Sequence, residues 1–326
     1  MVDAFTDLLT LPAPPPAEAL VICGVTAVVV SLIVAGCFGP FIAIASEFLA
    51  MRTKRAFYAR TARQIAQMSL TAGIAAAVFT GCAIAWFAAD EPALLAEPYL
   101  PPLALAGGSI GIALLLLAVY VKTRPEKGPA GKDHLTLGLA AGAWAAFSLF
   151  CCTGLARRLL HSPPEFDLSL PWTAQLTLFL AIPADSFFRP LLIESVPLGF
   201  AFAAAFACLW LLLMREKQDY GRDYYAFALP YCAKWAAVFT LLAVCAGGYV
   251  FHEARGLMLP ELSREPSLLL DLSSAVLPIL ACLIWLLVAR SAHPMRNKIS
   301  IVLACLFLLT GFAGQVLMLN KIIPSP

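Results

Sequence analysis

Charged residues are scarce in this chain. Asp, Glu, Lys and Arg together make up 13% of its 326 residues, whereas hydrophobic residues make up 61%. A soluble domain of this size could not bury that much apolar surface, so the composition excludes a soluble globular protein. We therefore expect a polytopic membrane protein whose main surroundings are the lipid bilayer.

The sequence also lacks the common short motifs of metal, haem and nucleotide sites. It contains no CxxC pair, no CxxCH and no P-loop, and we see no internal repeat. Its ten cysteines all fall inside apolar runs, where thiols serve as small core residues rather than as a disulfide or zinc framework. The opening stretch, MVDAFTDLLTLPAPPP, lacks the basic region of a signal peptide.

Eight apolar runs are long enough to cross a hydrocarbon core of about 30 Å, and lipid offers no hydrogen-bond partner to a non-helical backbone. We therefore predict an all-α fold, a polytopic membrane helix bundle with eight transmembrane helices and a single integral-membrane domain over residues 1–326. A shorter stretch near 171–181, which includes Trp172, predicts a helix in the membrane interface. The eight runs lie near 18–50, 58–88, 101–122, 134–158, 191–214, 225–252, 266–290 and 298–320.

Basic residues concentrate in the odd-numbered connections between these runs. The first connection alone holds Arg52, Lys54, Arg55, Arg60 and Arg63, and the even-numbered connections carry far fewer. Cytoplasmic loops of membrane proteins are enriched in Lys and Arg. The pattern predicts that both termini lie outside, in a multi-pass protein of the bacterial inner membrane.

The chain has only four histidines. His134 and His293 fall at cytoplasmic helix ends, where we expect solvated interfacial side chains. His161 follows the fourth helix and His252 ends the sixth, so both reach the outer surface, and two histidines at one level are the minimum for a bis-histidine haem. Such ligands are usually buried inside helices, whereas these lie at helix ends, which argues against haem.

Glu194 stands about one turn inside the fifth helix, roughly 6 Å deep at 1.5 Å per residue. A charged group inside hydrocarbon is costly and usually marks a site. Pro197 adds a break, because it has no N–H to donate to the carbonyl of Ile193. Two interpretations remain open: a binding site, or a carboxylate that complements the positive end of the helix dipole beside a simple kink.

Glu47 lies near the cytoplasmic end of the first helix, in IASEFLAMRTKR. Three cations follow it closely, so we predict a structural ion pair with Arg52, Lys54 or Arg55. Lys234, about two turns into helix six, is expected to extend its ammonium to the cytoplasmic surface.

Three segments resemble, in order, cytochrome bd quinol oxidase subunit I. FIAIASEFLAMRTKRAFYARTARQIAQMSLTAGIAAAVFTG is similar to that family's helix one, basic loop and helix two, with Glu47 on the family's acid. DHLTLGLAAGAWAAFSLFCCTGLARRLLHSPP resembles its helix four. LLIESVPLGFAFAAAFACLWLLLMREKQDYGRDYYAFALPYCAKWA resembles its helix five and the approach to helix six.

The departures from that family bear on chemistry. Glu194 stands where the family has a haem-ligating histidine, and helix one, VICGVTAVVVSLIVAG, has no counterpart of the family's other histidine. Helix three lacks the two carboxylates of the family, and the long quinol-binding loop is shortened. The resemblance therefore implies a haem-poor relative that does not reduce oxygen.

Three functions remain as hypotheses. The first is the membrane subunit of a respiratory electron-transfer complex that binds quinol near the outer surface and passes electrons to a periplasmic cytochrome or iron–sulfur partner, with no nucleic acid involved. The second is a non-catalytic anchor or assembly subunit, and the third is a small-molecule transporter. For the first, Glu194 and His252 are the candidate proton acceptors. The candidate quinol-binding residues on the outer face are His161, His252, Glu253, Arg255 and Arg189.

Overall fold

The three-dimensional structure is a computed structural model of the chain. It describes residues 17–90, 100–124, 131–160, 171, 173–174, 180, 188–218, 220–257 and 268–322, with some side chains at the helix ends left outside that description. The predicted interfacial helix near 171–181, including Trp172, lies largely outside the described residues.

The described residues form eight long helices, joined in one place by a short 3-10 turn at Pro294–Arg296. All eight are long and apolar enough to cross a membrane, so the predicted all-helical, multi-pass fold is confirmed. Each helix lies within a few residues of its predicted run. The helices are α1 (Ala17–Thr53), α2 (Ala56–Asp90), α3 (Leu100–Lys122), α4 (Lys132–Leu160), α5 (Phe188–Met214), α6 (Arg222–Leu257), α7 (Leu268–Arg290) and α8 (Lys298–Ile322).

Successive helices run up and down. Between α5 and α6, the thiol of Cys208 lies 4.0 Å from the carbonyl of Leu229. Glu194, which precedes Cys208 on α5, lies beside Gly247, which follows Leu229 on α6, so these two helices are antiparallel. The described odd-numbered connections therefore share one end of the bundle, which we call the basic end. Arg52, Arg215 and Arg290 are exposed there, in agreement with the charge pattern. Which side of a membrane this end faces stays a prediction.

Small residues allow the central helices to approach closely. α5 buries a run of alanines, Ala201 and Ala203–Ala205, in a bundle where it packs against α1, α6 and α8. The thiol of Cys305 on α8 lies 3.6 Å from the carbonyl of Ala205, and that of Cys282 on α7 lies 3.4 Å from the carbonyl of Ala237. Without a hydrophobic drive between helices in lipid, such close van der Waals packing holds a bundle together.

Among the described glycines, Gly36 at the crossing of α1 and α2 leaves the least room between its Cβ position and the backbone of another helix. A Cβ on Gly36 would lie 3.0 Å from the Cα of Gly73, and a helix backbone cannot yield as a side chain can. We expect Gly36→Val to separate the two helices and to lower stability by about 1–3 kcal/mol, measured as a lower Tm in detergent. Gly24→Val is the matched control on α1, because nothing lies within 4 Å of a Cβ there. Equal Tm values for the two variants would contradict this packing.

Candidate functional site

Glu194 is buried inside the bundle. It lies on α5 near the end of the bundle opposite the basic end, and only 4% of its surface is exposed. Arg189, five residues earlier on the same helix, is exposed. Since five helical residues span roughly 7.5 Å, Glu194 lies a short distance below the polar boundary of the bundle. The carboxylate is turned inward and away from the surface.

The partner of Glu194 is Gln315 on α8. The Nε2 atom of Gln315 donates to both carboxylate oxygens, at 2.8 Å to Oε1 and 2.7 Å to Oε2. Gly247 on α6 makes room for this pair, because a Cβ there would lie only 2.9 Å from Oε1 of Glu194. Three helices, α5, α6 and α8, therefore meet around one carboxylate.

A cavity of about 460 Å³ adjoins this pair, between α5, α6, α7 and α8. Most of its wall is apolar, with Leu198, Phe251, Phe312 and Met318 among its lining residues. The polar side chains on the wall are Glu194 and Gln315, with the hydroxyl of Ser274. An apolar chamber with a few convergent polar groups is the usual form of a small-molecule site.

This arrangement limits the chemistry that the cavity can perform. A carboxylate offers about four acceptor positions, and Gln315 donates to it through a single nitrogen, so Glu194 can accept further hydrogen bonds from a ligand. A carboxylate can also take up a proton from a hydroxyl group that it contacts. The apolar wall would bind a ring or a hydrocarbon chain.

The other predicted residues of this end are not assembled around the cavity. His252 and Glu253 are exposed on α6 and do not line it, although the preceding Phe251 does. Arg189 is likewise exposed. His161 and the side chain of Arg255 lie outside the described residues. Of the residues predicted for this site, only Glu194 is seen on the cavity wall.

A second buried cluster lies at the basic end, around Glu47. Only 1% of the Glu47 side chain is exposed, and its partners are not the ones predicted. The carboxylate pairs with Arg124 Nη2 and with His134 Nδ1, each at 3.1 Å. The prediction of an ion pair with Arg52, Lys54 or Arg55 is wrong about the partner, since Arg52, Lys54 and Arg55 are exposed.

His134 also differs from its prediction as a solvated interfacial residue. It is buried, and it stacks on Tyr120 with ring centroids 4.5 Å apart. Its Nδ1 faces the Glu47 carboxylate and its Nε2 faces the backbone carbonyl of Tyr120 at 2.9 Å, so both nitrogens meet acceptors. His293, by contrast, is exposed as predicted.

Arg124 extends the Glu47 cluster to a further helix. Its Nη2 donates to the carbonyl of Ala59 on α2 at 2.6 Å. Burial lowers the pKa of the Arg124 guanidinium from its ordinary value, and the neighbouring Glu47 carboxylate opposes that shift. The cluster thus joins α1, α2, α3 and α4 at one point, and its carboxylate already pairs with a guanidinium and an imidazole. We interpret it as structural.

No cluster of metal ligands is found among the described residues, and His161, one of the two histidines considered for a haem, lies outside them. Both nitrogens of His134 are engaged, His293 is exposed at the basic end and His252 is exposed at the opposite end. No three His, Cys, Asp or Glu side chains in the described ranges lie together in a way that could hold a metal ion.

Comparison with known proteins does not place the chain in a family. No protein-family model matches it, and no curated protein matches it significantly. The similarity to cytochrome bd subunit I therefore stays a prediction from the residues.

Sequence reasoning missed Gln315. It stands in LLTGFAGQVLML, the apolar interior of α8, where a carboxamide without a partner would be costly. The position of this polar residue in an apolar run was the available signal. It indicated a buried partner but did not identify that partner.

Neutralising Glu47 should destabilise the bundle. Glu47→Gln would leave Arg124 and His134 in a buried site without a counter-charge, which typically costs about 3–5 kcal/mol. We expect a clearly lower Tm in detergent. Glu216→Gln, an exposed carboxylate at the same end, is the matched control and should leave Tm unchanged. A Glu47→Gln protein as stable as wild type would show that the cluster does not hold the four helices.

Proposed function

We propose that this protein is the membrane subunit of a respiratory electron-transfer complex and that it binds quinol in the cavity beside Glu194. The observation that carries the proposal is the buried carboxylate on the wall of an otherwise apolar chamber, held in place by Gln315. A quinol combines an apolar ring and tail with two hydroxyl groups. The chamber offers matching surfaces for both parts.

The residues present can serve the proton side of quinol oxidation. Conversion of a quinol to a quinone releases two electrons and two protons. Glu194 would accept a hydrogen bond from one hydroxyl and then its proton, while Gln315 keeps the carboxylate in position. The proton of the other hydroxyl would pass to water at the adjacent polar end of the bundle. The two electrons would go to a redox centre of a partner subunit, a periplasmic cytochrome or an iron–sulfur protein.

The position of the cavity agrees with this role. It lies at the end of the bundle opposite the basic end, and the positive-inside pattern assigns that end to the periplasm of a bacterial inner membrane. In cytochrome bd subunit I, which this chain resembles, a haem-ligating histidine stands at the position that corresponds to Glu194. A carboxylate bonded to a carboxamide favours a hydrogen-bonding ligand there instead.

A photoreactive ubiquinone analogue tests the proposal. We expect it to label peptides of α6 and α8 that line the cavity, in purified protein held in lipid nanodiscs and mapped by mass spectrometry. Decyl-ubiquinol should compete with this labelling. Glu194→Gln should weaken that competition by about tenfold, the difference expected between hydrogen bonds to charged and neutral acceptors.

His252→Gln is the comparison variant, because this exposed side chain does not line the cavity. We expect its competition curve to match that of wild type. Labelling elsewhere, or labelling that Glu194→Gln leaves unchanged, would contradict a quinol site here. The non-catalytic anchor would then be the better account of this bundle.

Two adjacent glycines on α6 give a finer test of the site. Gly247→Ala would bring a methyl group to 2.9 Å from Oε1 of Glu194 and should displace the carboxylate from Gln315. Gly248→Ala would place its methyl group where nothing lies within 4 Å. We therefore expect the first change to weaken decyl-ubiquinol competition and the second to leave it intact. Equal effects of both would contradict a role for the position of the carboxylate.

A further inference from the structure

The walls of the cavity differ in exposure. The α5 wall, formed by Glu194 and Leu198, is buried. Among the lining residues, Gly248 on α6 and Ala275 on α7 are exposed, and both are small. An opening at these two residues would lie between α6 and α7, with Glu194 on the opposite wall.

The surface around this opening is apolar. Tyr249 on α6 is 46% exposed, and Val276 and Ile279 on α7 are 38% and 43% exposed. Exposed side chains of this kind, on helices that cross a membrane, contact lipid. The opening therefore faces the side of the bundle and not its end.

The depth of the opening suits a molecule with a polar head. Gly248 lies five residues before the exposed Glu253 on α6, a distance of roughly 7.5 Å along a helix axis. It also adjoins Gly247, whose Cα faces the Glu194 carboxylate. A ligand that enters at this level brings its head to the carboxylate while its tail remains in the hydrocarbon.

We propose that the cavity exchanges its ligand with the bilayer through this side opening between α6 and α7, framed by Gly248 and Ala275. The ligand is then a membrane-dissolved amphiphile, with an apolar body and a hydrogen-bond donor that binds Glu194. Its identification as a quinol rests on the function proposed above. The opening itself rests on the exposure of these two residues and on the apolar surface around them.

Two carbodiimides test the opening without any quinone. Each reagent takes the carboxyl proton on one nitrogen and forms a bond between a carboxylate oxygen and its central carbon; rearrangement then leaves the whole reagent attached as an N-acylurea. In nanodiscs, we expect lipid-soluble dicyclohexylcarbodiimide to modify Glu194 and a water-soluble carbodiimide to leave it unmodified. Glu47, buried and paired with Arg124 and His134, is the internal control and should resist both reagents.

Large side chains at Gly248 and Ala275 test whether the opening lies between α6 and α7. Gly248→Trp and Ala275→Trp should each slow the modification of Glu194 by about tenfold, the scale on which access rates change among variants of one site. Gly108→Trp on α3 is the matched control, because that glycine is exposed and nothing lies within 4 Å of its Cβ position. It should react as wild type does. Thermal unfolding of each variant would establish that it is folded.

The outcomes separate the two proposals. Fast modification by the water-soluble reagent, or none by the lipid-soluble one, would overturn the side opening. Unchanged rates in both tryptophan variants would overturn its position between α6 and α7. Modification of Glu194 as expected, with no labelling by the photoreactive quinone, would support the opening, and only the identification of the ligand as quinol would fail.

Discussion

A polar group within hydrocarbon has no water to bond to, so it must find its partners in the protein. Glu47 and Glu194 both obey this constraint, and their partners come from distant parts of the chain. Glu47 on α1 pairs with Arg124 and His134, which follow α3 in the chain. Glu194 accepts hydrogen bonds from Gln315, which stands 121 residues later. The two carboxylates thereby tie the first four helices together at one end and join α5 to α8 at the other.

The two clusters differ in what they leave available. Glu47 meets a guanidinium and an imidazole in a packed site. Glu194 meets one neutral carboxamide and borders a chamber of about 460 Å³. A carboxylate neutralised by packed cations stabilises a fold, whereas one with spare acceptor capacity beside a chamber can bind a ligand. This contrast is why the proposed function rests on Glu194.

The similarity to cytochrome bd subunit I would make this chain an example of a fold that keeps its helices while its site changes. Function belongs to the site and not to the fold, so the eight helices alone do not decide it. In that case, a glutamate in place of a ligating histidine would change the chemistry from metal coordination to proton transfer. The proposed side opening between α6 and α7 fits that change, because it would supply the site with a molecule dissolved in the membrane.

The sequence alone was enough to predict the eight spans and the basic end, because length, hydropathy and charge are local properties read along the chain. It also singled out Glu194, since a carboxylate in an apolar run is visible without a structure. It could not assign partners: Glu47 was expected to pair with nearby Arg52, Lys54 or Arg55, and His134 was expected to be solvated. Gln315, Gly247 and the cavity became part of the site only through packing. Which residues meet across a bundle depends on how helices far apart in the chain approach one another, and only the tertiary structure decides that.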